Sequence, residues 1–144
     1  MTFEEWVAKY PLAAADLRRC YEHGGAAGGF TEAGVQAQIR VAAFQCGFAL
    51  WRNNNGACVD ETGRQLRFGL GNDSAKMNKH WKSADLIGIG PDGRFMAVEC
   101  KRPGWRGPST EREHAQANML TQVKTLGGIG FFATSVEDFV RYAR

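Results

Sequence analysis

Apolar residues along this chain recur at two spacings, and the change from one to the other outlines its elements. Phe3, Trp6, Val7 and Tyr10, then Leu12, Leu17 and Tyr21, follow a helical period. Thr2 is a candidate N-cap with Glu5 three residues on, a capping-box pattern. Pro11 ends or kinks this first helix, and residues 12–22 form a second. Neither carries chemistry; a packing arm or a contact between copies is the expected use. The run from His23 to Gly29 has a linker's composition and lacks the P-loop pattern. Thr31 then caps a helix through Val35, Ile39, Ala42, Ala43 and Cys46, with Phe30 and Val35 set to staple its start and Gly47 to stop it.

The period shortens after Gly47. Phe48–Trp51 reads as a strand, and Arg52-Asn53-Asn54-Asn55-Gly56 as a polar turn. Residues 57–59 and 65–68 flank Asp60-Glu61-Thr62-Gly63 as a hairpin. Residues 69–82 form a polar loop in which Lys76, Lys79, His80, Trp81 and Lys82 mix basic and aromatic side chains. That mixture suits contact with a nucleic-acid backbone and stacking on a base, or an ordinary surface loop. Leu86–Ile89 and Phe95–Val98 enclose Pro91-Asp92-Gly93, a second hairpin. The segment 101–108 leaves it as a rigid basic loop carrying Arg102, Trp105 and Arg106. Ser109 or Thr110, with Glu113, caps a helix whose stripe is Ala115, Met119, Leu120, Val123 and Leu126, ended by Gly127-Gly128. Residues 129–133 are a fully apolar strand, reached from the previous strand across a helix, as in a parallel crossover. Ser135 with Asp138 caps a last helix, residues 136–142. The element order gives an α/β fold, a mixed central β-sheet flanked by helices.

The second hairpin carries the chemistry. Asp85 opens its first strand; Glu99, Cys100 and Lys101 close its second, so Asp85 and Glu99 fall at the same end. Strand alternation turns Glu99 and Lys101 one way and Cys100 the other. Two carboxylates, with a backbone carbonyl such as that of Cys100 between them, suit Mg²⁺. Such an ion polarises a phosphoryl oxygen and activates water. Lys101 can hold the attacking water or offset charge developing on phosphate. The alternative is a strand end bearing solvated charges and a cross-strand ion pair, and the spacing alone does not separate the two.

Composition narrows the classes. One hundred and forty-four residues with 44% apolar composition support one core. No run nears the ~20 apolar residues that span a bilayer, and residues 1–6 show no secretory signal. Cys20, Cys46, Cys58 and Cys100 have no zinc spacing and sit in or beside apolar stretches, so reduced, packed thiols in a cytosol are expected. The net charge of +3 is uneven: from Arg64 to Arg106 there are nine Lys and Arg against four Asp and Glu. A basic rim around a metal site fits a phosphate backbone, and a surface of ordinary solvated charges remains the alternative.

Asp85 followed by Glu99-Cys100-Lys101 after a β-turn resembles the PD-(D/E)XK nucleases. Further segments narrow the likeness: Trp51–Ala57, Arg67–Leu70, Ser83–Gly88, Val98–Lys101, Gln116 ahead of Met119-Leu120, and Gly127-Gly128-Ile129. In this order they are similar to the VRR-NUC family. The resemblance implies a restriction-endonuclease-like core over 30–144, with 1–29 as a helical arm and Gly-rich linker. It implies a Mg²⁺- or Mn²⁺-dependent DNA endonuclease in which Asp85, Glu99 and the Cys100 carbonyl hold the metal. Glu32 is a further candidate ligand on the first core helix, with Gln36 and Gln38 as alternatives. Lys101 and Gln116 complete the catalytic set. Arg52, Asn54, Lys76, Lys79, Lys82, Arg102 and Arg106 are the candidate DNA contacts. Stand-alone members resemble structure-selective nucleases that cut four-way (Holliday) junctions as homodimers. DNA, a second copy and a bacterial or phage-infected cytosol are thus the implied partners and setting, without membrane or small-molecule cofactor. A flap, nicking or restriction-type nuclease, or a DNA-binding protein without turnover, are the competing readings.

Overall fold

The helix starts follow local rules. Thr2 and Thr110 each close a capping box, with Glu5 and Glu113. Thr31, Ser74 and Ser135 accept a backbone N–H at the N-termini they precede. In this computed structural model, which describes residues 1–23 and 31–144, these caps open most of six helices. They are α1 (Phe3–Lys9), α2 (Pro11–His23), α3 (Glu32–Gln45), α4 (Ala75–Asn78), α5 (Glu111–Thr125) and α6 (Val136–Tyr142). Pro11 sits at the first position of α2, where its missing N–H has no helical partner to lose. The Gly-rich linker and the Phe30 staple lie outside the described residues.

The described residues contain six strands: β1 (Ala49–Arg52), β2 (Gly56–Val59), β3 (Gln65–Phe68), β4 (Leu86–Ile89), β5 (Phe95–Cys100) and β6 (Ile129–Ala133). Four make a mixed sheet in the order β1-β4-β5-β6, and β2–β3 stands apart as a two-stranded hairpin. β4 pairs antiparallel with both β1 and β5, and β6 runs parallel to β5 after the α5 crossover. Gly88 lets β1 and β4 approach: a Cβ there would lie 1.8 Å from the Ala49 carbonyl oxygen.

The sheet is covered on two faces. On one, Leu86, Met96, Val98 and Cys100 pack with α3 and α6 residues such as Ile39 and Phe139. On the other, Ala84 and Ala97 meet Met119, Leu120 and Val123 of α5. The first two helices belong to the core. Trp6 is fully buried and its Nε1 donates to Cys46 Sγ at 3.0 Å; Ala13 and Leu17 are buried with it. An apolar stripe of this kind finds its partner within the chain. None of the helices in the described residues is long and apolar enough to cross a membrane.

Three expectations need correction. The 69–82 segment is not wholly loop: Ser74 caps the single turn α4. Trp81 and Trp105 are half-buried and turned inward. Trp81 Nε1 donates to Gln122 Oε1 at 2.6 Å; Trp105 Nε1 donates to Glu113 Oε1 at 2.8 Å, and its ring lies 4.5 Å from that of Phe132. An indole with its N–H satisfied on α5 anchors its loop instead of standing open for stacking. The cysteines are not uniformly packed: Cys100 is buried and Cys46 half-buried, but Cys58 is exposed because both faces of the β2–β3 hairpin meet solvent. The Cys20 side chain lies outside the described set.

Candidate functional site

Register brings the two carboxylates together. Leu86 pairs with Val98, so Asp85 and Glu99 face each other one step beyond the β4–β5 ladder. Each takes a backbone N–H from the other's strand. The Asp85 N–H donates to Glu99 Oε2 at 3.2 Å, and the Cys100 N–H donates to Asp85 Oδ2 at 3.0 Å. Alternation turns Glu99 and Lys101 toward α5, where Gln116 waits on the buried stripe. Lys101 Nζ donates to Glu99 Oε1 at 3.1 Å and to Gln116 Oε1 at 3.0 Å; Gln116 Nε2 donates back to Glu99 Oε1. Three side chains, Glu99, Lys101 and Gln116, thus form a single hydrogen-bonded group, and Asp85 is joined to it through backbone N–H groups.

Burial dominates its electrostatics. Glu99 is 2% exposed, and desolvation lifts its pKa to about 7, with Asp85 adding to the rise and Lys101 opposing it. Burial also raises the Asp85 carboxyl, against the Cys100 N–H and Lys101, which pull it down. The Cys100 thiol is pushed well up by burial and by both acids. Glu113, by contrast, is held down to about 2 by N–H donors of Ser109 and Trp105, which fixes the start of α5.

A polar cleft of about 400 Å³ opens on this group. Asp85 and Gln116 are on its wall, while Glu99 and Lys101 lie one layer behind. Its opposite rim is built by side-chain amides. Asn53 Nδ2 donates to Ser83 Oγ at 3.0 Å and to the Ala84 carbonyl at 2.9 Å, and Asn55 also donates to Ser83. Asn72 Nδ2 ties the Gly56 and Phe68 carbonyls at 2.7 and 2.8 Å, and its Oδ1 accepts from Arg67 Nη1 at 3.2 Å.

Of the residues expected to contact DNA, Asn54 and Lys82 line the cleft. Arg52, at the end of β1, and Lys76, Lys79, Arg102 and Arg106 are exposed and do not line it. Glu32 is exposed in the first turn of α3 and acts on Asp85 through space, raising its pKa. Gln36 is half-buried and Gln38 buried. Among the described residues no three His, Cys, Asp or Glu side chains could together hold a metal ion. Two carboxylates still fit Mg²⁺, which keeps several waters and needs only one or two from the protein. Asp85 Oδ2 is fixed by Cys100, whereas Oδ1 accepts no hydrogen bond from a described residue, and Asp85 lines the cleft.

Sequence reasoning passed over Arg67, Arg112 and Asn72, all of which line the cleft. Arg112 had a usable signal, since it precedes Gln116 by four residues and shares its helix face. Asn72 had none, because its partners are set by how two loops meet. Comparison with protein-family models, with curated proteins and with solved structures finds no match to this chain.

Proposed function

We propose that the protein is a Mg²⁺- or Mn²⁺-dependent DNA endonuclease of VRR-NUC type that hydrolyses phosphodiester bonds in branched DNA. The observation that carries this reading is the Asp85–Glu99–Lys101–Gln116 group at the base of a polar cleft. An ordinary strand-end ion pair is exposed and contributes little. Here buried Glu99 and half-buried Asp85 lie near one another with raised pKa values, an arrangement that favours binding a cation. Asp85, Glu99 and the Cys100 carbonyl would hold the divalent ion. When bound, it supplies polarisation of the phosphoryl oxygen and acidification of water.

The chain's own side chains divide the remaining work. Hydrolysis adds a water oxygen to phosphorus and breaks the bond to one sugar oxygen, so negative charge gathers on the phosphoryl oxygens. Lys101 Nζ, held between Glu99 and Gln116, offsets that charge. Gln116, on the cleft wall, fixes Lys101 from the substrate side. Asp85 lines the cleft with Oδ2 locked by the Cys100 N–H, which leaves Oδ1 for a ligand. The resemblance supplies the substrate shape and assembly: a two-fold four-way junction and a homodimer with one active site for each of two strands.

The test is cleavage of a labelled four-way junction beside a matched linear duplex, with Mg²⁺ or Mn²⁺. Symmetric cuts in the junction alone, lost in Lys101→Ala and in the near-isosteric Asp85→Asn, are expected. Equal cutting of both substrates removes the junction preference. Binding without cutting in either metal leaves a DNA-binding protein without turnover.

A further inference from the structure

We propose that Arg67, Lys82 and Arg112 form a phosphate-binding subsite on the cleft wall, which grips a phosphodiester next to the one that is cut. Three independent elements supply the cations: β3, the loop before β4, and the first turn of α5. Each is positioned by the fold. Arg67 Nη1 donates to the buried Asn72. The Lys82 N–H donates to the Ala115 carbonyl at 3.1 Å, which pins the loop to α5. Arg112 follows the Thr110 capping box by two residues.

Cations so placed ordinarily attract carboxylates. Ion pairs among the described residues join Arg19 to Asp16, Arg94 to Asp92 and Lys101 to Glu99, and none includes these three. Among the described residues Asp85 is the single acid lining the cleft, and it lies in the group already described. Burial disfavours the charge of half-buried Lys82, and Arg112 and Arg67 act against it too, with Glu99 behind the wall offsetting part of this. The trio therefore stands as like charges gathered around polar space, with the amides of Asn54 and Asn78 on the same lining. An anion with several acceptor oxygens relieves the repulsion, and guanidinium groups match phosphate geometry. That the anion is a nucleic-acid phosphate rests on the function proposed above; that an anion binds does not.

The test uses the full chain in EDTA, with inorganic phosphate and a labelled duplex as probes. Phosphate is expected to raise the melting temperature above that in chloride of equal ionic strength, and Lys82→Gln/Arg112→Gln to abolish the rise. Arg67 is left in place because it also holds Asn72. Each single substitution is expected to weaken duplex binding about tenfold, and to lower the salt slope by about 0.9. Arg141→Gln, on α6 and outside the cleft, should change neither. The melting temperature in chloride reports whether each variant folds. The subsite is overturned if phosphate fails to stabilise the parent, or stabilises the double variant equally. A phosphate response with unchanged duplex slopes overturns the nucleic-acid assignment. Adding Mg²⁺ to the same samples separates the two proposals. Cleavage without any phosphate response removes the subsite alone, and the full phosphate response without cleavage removes the nuclease reading alone.

Discussion

Glu99→Gln should make the protein more stable at pH 8 and less stable at pH 4. In the folded chain burial raises the Glu99 carboxyl from 4.5 to about 7. Below pH 4.5 both folded and unfolded chains hold the proton, and Glu99 contributes no pH dependence. Between 4.5 and about 7 the unfolded chain ionises first, so the folded state binds more protons and stability falls as pH rises. Above about 7 both are ionised, and the penalty levels off at about 3 kcal/mol. Glutamine keeps the shape and cannot ionise. Its amide nitrogen meets one of the N–H donors that Glu99 now accepts, from Asp85, Lys101 or Gln116. Losing that hydrogen bond costs about 1 kcal/mol at every pH. The variant is therefore expected to lose about 1 kcal/mol at pH 4 and to gain about 2 kcal/mol at pH 8, crossing the parent near pH ~5.

Urea unfolding of both proteins from pH 4 to pH 8, in EDTA, reads this directly, because taking the difference removes titrations common to both. Parallel stability curves would refute the reasoning, showing that the attraction of Lys101 at 3.1 Å cancels the desolvation of Glu99. A loss of about 3–5 kcal/mol at pH 8 would go further, since that is the signature of breaking a buried ion pair.

Three further outcomes are expected. Mg²⁺ at ten times its dissociation constant should stabilise the protein by about 1.4 kcal/mol at pH 8, and by much less at pH 5, where Asp85 and Glu99 compete for protons; Asp85→Asn should abolish the shift in scanning calorimetry. Trp6→Ala should destabilise by about 3–5 kcal/mol, read as a lower urea midpoint, because the indole is fully buried against Cys46; a change within 1 kcal/mol would mean that α1 is detached in solution. Gly88→Ala should lower stability by about 3 kcal/mol, since the new Cβ meets the Ala49 carbonyl oxygen at 1.8 Å and no flexible side chain can yield; an unchanged midpoint would show that β1 shifts freely at the sheet edge.

What could be read from sequence was mainly what depends on near neighbours. The capping boxes at Thr2 and Thr110 involve residues three apart, and the β4–β5 hairpin is set by Pro91-Asp92-Gly93 between two apolar runs. Alternation along β5 was enough to put Glu99 and Lys101 on one face, where they meet at 3.1 Å. Long-range partnerships were not legible. Asn53 and Asn55 look like turn formers, yet their amides reach Ser83, about thirty residues away, and build the cleft rim. Trp81 and Trp105 look like exposed aromatics because basic residues surround them in sequence. Their N–H groups instead find acceptors on α5, whose position depends on the whole sheet. Lys76, Lys79, Arg102 and Arg106 share that local basic character and lie off the cleft, whereas Arg67 and Arg112, neither among the expected DNA contacts, line it.

The charge layout has an energetic consequence. Folding a chain with eighteen Lys and Arg and fifteen Asp and Glu leaves ample scope for neutralising pairs. Around the cleft, among the described residues, this chain forms one such pair, Lys101 with Glu99. It sets half-buried Asp85 close to buried Glu99, where their charged forms are disfavoured, and it gathers Arg67, Lys82 and Arg112 beside them without a paired carboxylate among the described residues. Arg112 is near enough to lower the Asp85 pKa through space, but makes no ion pair with it. Each half of this layout is less stable than a fully paired version of the same residues, since Asp85 and the basic trio have no ion-pair partner among the described residues. A divalent cation on the acids and a phosphate on the basic trio would relieve both halves together, and each would attract the other. This predicts positive coupling between Mg²⁺ and phosphate, of about 1–3 kcal/mol if it has the usual size. Calorimetric titration of phosphate with and without Mg²⁺ measures it, with free Mg²⁺ held fixed and ion pairing in solution subtracted. Equal phosphate affinities in the two titrations would show that the acidic and basic groups act as separate sites.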